Sequence, residues 1–236
     1  MRGDHLIPTA TGTPEANVYA DKASVVLEWL LRRGVDRKTF GVREAMRATG
    51  ISIGLVQRVF AYLVKQGVLH TQGVRTAKRF FLAHPQRLLE EWSAHYSIVK
   101  KCRMWTYRTS LHTREALLEI LKQPKWRKTT TLALHSAAAA DGFIYSNLPT
   151  LELYLTDPDT RPLLEEALHL EPQERGYEVL LLEPYYKRLL HQSHLVNELR
   201  SPPLLLTYLD LYHFPLRGRE GAEFISQRAD LFKRIR

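Results

Sequence analysis

The sequence predicts an α+β protein, with an N-terminal unit of three helices and a small hairpin followed by a mixed α/β C-terminal domain. Three observations carry this. Apolar residues recur at helical spacing in three stretches between residues 21 and 65, punctuated by Gly34, Gly50 and Gly67. Two short runs, Val68–Thr71 and Lys78–Leu82, then flank a basic turn. From residue 124 onward, strand-like apolar runs alternate with helical patterns.

Residues 1–20, rich in Thr, Pro, Ala and Gly and without periodicity, read as an N-terminal arm. Asp21 is placed to cap the first helix. In that helix Ala23, Val26, Leu27, Leu30 and Leu31 follow the i, i+3, i+4, i+7, i+8 pattern, and Gly34 ends it. A second helix spans about Val42 to Thr49, with Val42, Ala45 and Met46 inward, and Gly50 supplies a left-handed exit. Ser52 caps a third helix, whose buried stripe is Val56, Val59, Phe60 and Leu63. Its other face carries Ile53, Gly54, Gln57, Arg58, Ala61 and Lys65, and Gly67 closes it. The hairpin turn, Gln72 to Thr76, is polar and basic. Three helices, the tight turn Gly50-Ile51-Ser52 and a basic hairpin give residues 21–84 the outline of a winged helix-turn-helix.

Residues 85–123 read as a helical connector, with helices from about Leu88 and His112. The segment Lys100–Arg108 between them mixes cations with aromatics, and reads either as a base-stacking surface or as an edge strand packed on a core. Residues 124–236 form the α/β unit. It is expected to hold a strand running into an Ala-rich helix (132–143), a strand at 151–155 and a helix opened by Asp157-Pro158. A strand at 177–184, a helix after Ser201-Pro202-Pro203 and a last helix from about Arg219 complete it.

Charge narrows the function. The net charge is +9, and residues 1–110 carry 18 Lys and Arg against 8 Asp and Glu, while residues 111–236 are nearly balanced. A basic N-terminal half is an electrostatic footprint for a polyanion. No apolar run approaches the ~18 residues of a membrane span, and the N-terminal residues lack the apolar core of a signal peptide. The one cysteine, Cys102, excludes an internal disulfide and a multi-cysteine zinc site. A cytoplasmic protein is expected.

A helix reads base edges when small or polar side chains near its N-terminus let it enter the major groove. Ser52, Ile53, Gly54, Gln57 and Arg58 are the expected base-reading set. Gln pairs with adenine and Arg with guanine through two parallel hydrogen bonds, each pair worth roughly 1–3 kcal/mol of discrimination. Arg43, Arg47, Lys65, Arg75, Lys78 and Arg79 are the expected contacts to the DNA backbone, which position without specifying.

No comparable pattern marks a catalytic centre, and no cofactor is expected. His191 and His194 stand at metal-ligand spacing but lack a third ligand. Ser136 has no Gly-x-Ser-x-Gly turn, and no glycine-rich phosphate loop occurs. Asp141, Glu152, Asp157 and Glu183 are scattered, and only their convergence in a cleft would argue for a nucleic-acid-modifying enzyme. Lys100, Lys101 and Arg103 beside Cys102 would lower its pKa if they approach it.

The segments LALHSAAAADGFIYSNLPTLELYL (132–155), EVLLLEP (178–184) and NELRSPPLLLTYLDLYHFPLRGREGAEFI (197–225) stand in this order in the C-terminal half. In them the chain resembles a bacterial family of transcriptional regulators, the AbiEi-type antitoxins of type IV toxin–antitoxin systems, and the resemblance covers most of residues 40–236. It implies a winged helix that binds operator repeats and represses its own operon. It also implies a C-terminal domain that neutralises a toxin without a stable complex. Double-stranded DNA is thus the expected partner. A homodimer is expected because one reading helix covers only a half-site. A plasmid replication or partition protein using the same winged helix is the alternative.

Overall fold

The computed structural model describes residues 17–236, so the expected arm lies, through Ala16, outside the described residues. Helix α1, Asp21–Trp29, continues as one wider turn through Gly34. Asp21 is its first residue rather than its cap; its carboxylate accepts instead from the Arg188 backbone N–H at 2.8 Å. The helix is also not amphipathic: every residue from Ala23 to Trp29 is buried. Burial all round signals a helix enclosed between two layers, and α1 is so enclosed. It packs on α2 (Val42–Thr49) and α3 (Ile53–Lys65) on one side and on α10 (Lys187–Leu190) on the other.

Strands β1 (Leu69–Gln72) and β2 (Arg79–Leu82) form an antiparallel hairpin. Helices α4 (Pro85–His95) and α5 (Ile98–Lys101) follow. The next element corrects the expectation for 100–108: Arg103–Thr109 is strand β3, and it is not an edge. It lies between β6 (Leu170–Pro172) and β7 (Val179–Glu183), antiparallel to both. The span read as a helical connector therefore supplies an inner strand of the main sheet.

That sheet has five strands in the order β4-β5-β7-β3-β6, with β4 at Thr130–Leu132 and β5 at Leu151–Leu155. Only β5 and β7 run parallel. β7 carries the longest apolar run of the five, and every residue of β5 is buried, because both faces of a central parallel pair are covered. The period of two divides their side chains between two cores. Leu151, Leu153, Leu155, Val179 and Leu181 join a smaller cluster with Leu117, Trp126 and Leu164. These come from α6 (Arg114–Leu121), α7 (Pro124–Thr129) and α9 (Arg161–Ala167). Tyr154, Leu180 and Leu182 join the larger cluster, which extends without a break into α1, α2 and α3.

On that second face lie α8 (Leu134–Ala140) and α11 (Leu204–Tyr212), while the hairpin β8 (His194–Val196) and β9 (Leu199–Ser201) packs along β4 and sends Leu199 into the smaller cluster. The single C-terminal helix expected from Arg219 is two: α12 (Gly218–Arg228) and α13 (Asp230–Ile235), parted at an extended Ala229. The break lets Phe232 and Ile235 turn into the larger core, with the Phe232 ring 4.7 Å from that of Tyr208. Among the described residues, no helix is long and apolar enough to cross a membrane.

Two buried polar networks cross this core. The Trp92 Nε1–H donates to the Tyr186 hydroxyl at 2.8 Å, which donates to the Tyr19 carbonyl at 2.9 Å. Asp210, 0% exposed, accepts from the hydroxyls of Tyr96 and Tyr154, each at 2.7 Å. Burial without a cation pushes the Asp210 carboxyl up to about 7, the two tyrosine hydrogen bonds opposing part of the rise. Folding thus favours the protonated acid. Its contribution to stability is complete below the unfolded aspartate value of about 3.9, and is lost as pH rises to the folded value.

The Asp210→Asn variant should therefore gain stability relative to the native chain as pH rises from 5 to 7. The expected slope is on the order of 1 kcal/mol per pH unit, flattening above pH 7. Urea unfolding of both proteins across that range measures it, and a pH-independent difference would contradict the assignment.

Candidate nucleic-acid interface

The turn into α3 is set by Gly50, which sits at φ +68° and donates its N–H to the Met46 carbonyl at 2.9 Å. Nothing lies within 4 Å of where a Cβ would stand, so backbone geometry rather than space requires glycine here. Ser52 occupies the N-cap of α3 and accepts from Val56 N–H through its carbonyl, but its side chain makes no capping bond. Its hydroxyl is not used by its own helix. The buried stripe of α3 is Val56, Val59, Phe60 and Leu63, as the spacing predicts. Ser52, Ile53, Gly54, Gln57 and Arg58 are all exposed, and Ile53 keeps 41% of its surface open to water.

The hairpin is fixed to α3 by aromatics. Phe40 and Phe80 exchange both backbone hydrogen bonds at 2.8 Å, adding a one-residue bridge to β2. Phe60 packs between them, with ring centroids 5.6 Å from Phe40 and 4.9 Å from Phe80, and Trp29 of α1 stacks edge-on against Phe40 at 5.2 Å. This staircase holds the hairpin at a set angle to α3. At its tip Gly73 stands at φ +79° and Arg75 at φ +50°. A Cβ on Gly73 would meet the Ala77 carbonyl oxygen at 2.7 Å.

Between α3, the start of α2 and the hairpin runs a groove of about 720 Å³. It brings together Arg43, Ile53, Gln57, Arg75, Lys78 and Arg79 of the expected residues, over a floor of Phe60, Ala61, Val64 and Phe80. No carboxylate lines it. Gly54, Arg58 and Lys65 lie further round α3, and Arg47 lies on α2; all four are exposed but outside the groove. Arg43, Arg47, Arg58 and Arg75 make no ion pair with a described residue.

Arg79 differs from these. It donates to the Thr39 carbonyl and to Glu44 Oε2, each at 3.3 Å, while Glu44 also pairs with Arg37 and caps α2 through the Gly41 N–H. Arg79 thus ties the hairpin to the head of α2. Lys78 sits 5.5 Å above the Phe80 ring. The Glu44–Arg79 contact joins residues 35 apart in sequence, and no local pattern announced it.

The four carboxylates weighed for catalysis make separate contacts rather than meeting one another. Glu152, fully buried, accepts from the Ser136 N–H and hydroxyl and from the hydroxyls of Thr150 and Tyr177. Asp141 pairs with His194 at 2.9 Å, Asp157 accepts from the Asp159 N–H, and Glu183 pairs with Lys187. Among the described residues, no three His, Cys, Asp or Glu are grouped to hold a metal ion. The cations beside Cys102 in sequence do not lower its pKa: burial pushes the thiol up to about 12, with Asp210 adding to the rise. The neighbouring lysines face solvent, and Lys101 lies instead over the Tyr185 ring.

Residues 81–230 match a family described as transcriptional regulator, AbiEi antitoxin, type IV TA system. Comparison with curated proteins and with solved structures gives no match.

Gly73→Ala should cost the hairpin roughly 1–3 kcal/mol, the strain of a left-handed non-glycine residue against backbone. Hydrogen exchange at the His70 and Phe81 amides, which face each other across the hairpin, should rise sharply while α11 amides keep their protection. Unchanged protection in the hairpin would show that the tip relaxes freely.

Proposed function

Because the chain belongs to the AbiEi antitoxin family of transcriptional regulators of type IV toxin–antitoxin systems, we propose that it is a sequence-specific DNA-binding repressor whose N-terminal unit is a winged helix. The observation that carries the reading is the acid-free groove. It sets the exposed face of α3 beside a basic hairpin, with four arginines of the surface that make no ion pair with a described residue. In this reading α3 enters the major groove, Gln57 and Arg58 meet base edges, and Ser52, Ile53 and Gly54 permit the close approach. Arg43, Arg47, Lys65, Arg75 and Lys78 neutralise phosphates. Arg79 braces the hairpin and reaches phosphate only when Glu44 releases it. Autoregulation of an operon, a homodimer on operator repeats, a cytoplasmic setting and functional neutralisation of a toxin belong to the same proposal.

Duplex binding to the gene's own upstream region, measured at two salt concentrations, tests it. Gln57→Ala and Arg58→Ala should each relax base preference by roughly 1–3 kcal/mol, while Lys78→Ala should weaken all sequences alike and lower the salt slope by about 1. Affinity indifferent to both sequence and salt would refute the repressor reading.

Glu44→Gln gives a separate check. Glutamine can keep the cap on α2, yet it frees Arg79 and removes a negative charge near the groove. Duplex affinity should rise a few-fold at low salt and converge with the native value at high salt. A fall in affinity would show that Arg79 acts only as a brace.

A further inference from the structure

We propose that a second cationic cleft, on the C-terminal unit, binds the phosphate group of a small phosphate-bearing ligand. The cleft has a volume of about 190 Å³ and is lined by Lys128, Thr156, Pro184, Lys187, Leu190, His191 and Arg200. These residues come from the end of α7, the segments after β5 and β7, α10 and β9, so cations distant in sequence meet at one point. No carboxylate lines the cleft.

Arg200 is the telling residue. It is half-buried, and its guanidinium makes a single hydrogen bond, from Nη2 to the Leu190 carbonyl at 3.3 Å. Its Nε is shut off from water with no partner. No described carboxylate pairs with it. By contrast, Arg127, which shares a small neighbouring cavity, faces Glu198 at 3.9 Å. A half-buried guanidinium with most of its donors unused is unfavourable unless an anion completes it. Lys187 is partly offset by Glu183 at 3.3 Å, whereas Lys128 has no ion pair with a described residue. The Thr156 hydroxyl donates to the Lys128 carbonyl at 3.2 Å, which fixes the backbone from which that lysine projects.

The charge left over, chiefly on Lys128 and Arg200, matches a phosphate monoester, which carries about −1.5 to −2 at neutral pH. An arginine fork beside point-charge lysines suits tetrahedral oxygens. A narrow concavity suits a small ligand better than the convex backbone of a duplex, and none of its residues lines the α3 groove. Helix α10, which supplies Lys187 and Leu190, is also the helix that packs on α1. A ligand held there sits one helix away from the reading unit.

Titration calorimetry of the full chain with inorganic phosphate, against chloride at equal ionic strength, is the test. Saturable one-site binding is expected, weakened at least tenfold by Lys128→Gln and by Arg200→Gln and unchanged by Lys78→Ala. Lys128 is exposed, so its variant will fold even if the Arg200 variant does not, and thermal melting of each verifies this. No saturable binding beyond the chloride control overturns the proposal. Binding that survives Lys128→Gln, or that is lost in Lys78→Ala, overturns it by placing phosphate elsewhere. In a second arm, Lys128→Gln should leave duplex affinity unchanged. A loss equal to that of Lys78→Ala would assign these cations to the DNA backbone and overturn the small-ligand site.

Discussion

The apolar surface that α1 shares with the C-terminal helices is the constraint on which the arrangement of the molecule rests. α1 is buried on all sides because it serves two layers at once, the three-helix unit and α10. The Trp92–Tyr186–Tyr19 chain of hydrogen bonds crosses the same seam, and its donors can be satisfied only if the seam is closed. Core burial supplies most of the attraction there and is not directional. The polar chain supplies direction, since one register of α1 brings the Tyr19 carbonyl to the Tyr186 hydroxyl. The hairpin and α3 are thereby held at a defined angle to the sheet, rather than carried on a loose linker.

Electrostatics divide along the same lines. In the N-terminal unit, Arg43, Arg47, Arg58 and Arg75 make no ion pair with a described residue, and the groove holds no acid. In the C-terminal unit many charges are paired, and the buried acids, Glu152 and Asp210, are satisfied by hydroxyls and amides rather than by cations. Hydroxyl donors spread over several elements fix a packing arrangement without leaving a reactive charge in a cleft. Glu152 and Ser136 adjoin, but both are buried, and Glu152 is shared with the hydroxyls of Thr150 and Tyr177. Arg200 and Lys128 are among the cations of this unit that pair with no described carboxylate.

Much of the fold was legible in the sequence because it is locally encoded. The bounds of α2 and α3, the glycine exits and the buried stripe of α3 follow from the 3.6-residue period and from the backbone freedom of Gly50 and Gly67. β5 was legible from its alternation and β7 as a strongly apolar run. The expected base-reading residues all face solvent for the same reason, since a buried stripe fixes the opposite face. What was missed depends on partners far away. β3 looked like a basic, aromatic connector because its neighbours β6 and β7 lie some seventy residues on, and only their hydrogen bonds make it an inner strand. The short β8–β9 hairpin turns on Asn197 and Glu198, both at positive φ, without the glycine that would have announced it. For the cysteine, adjacency in sequence left open whether the lysines approach it, and the fold puts the thiol inward and the lysines out.

By itself, then, the sequence determined the α+β class, the helical frame of the N-terminal unit, the basic half and the family resemblance. These depend on periodicity, composition and motif, which are properties of neighbouring residues. Tertiary structure alone decided that α1 is shared between two layers, that Arg79 is held by Glu44 while other arginines stand free, and that Lys128, Lys187 and Arg200 meet in one cleft. Charges act through space, so which cation finds a carboxylate and which is left open to a ligand is settled by the packing of elements that are remote along the chain.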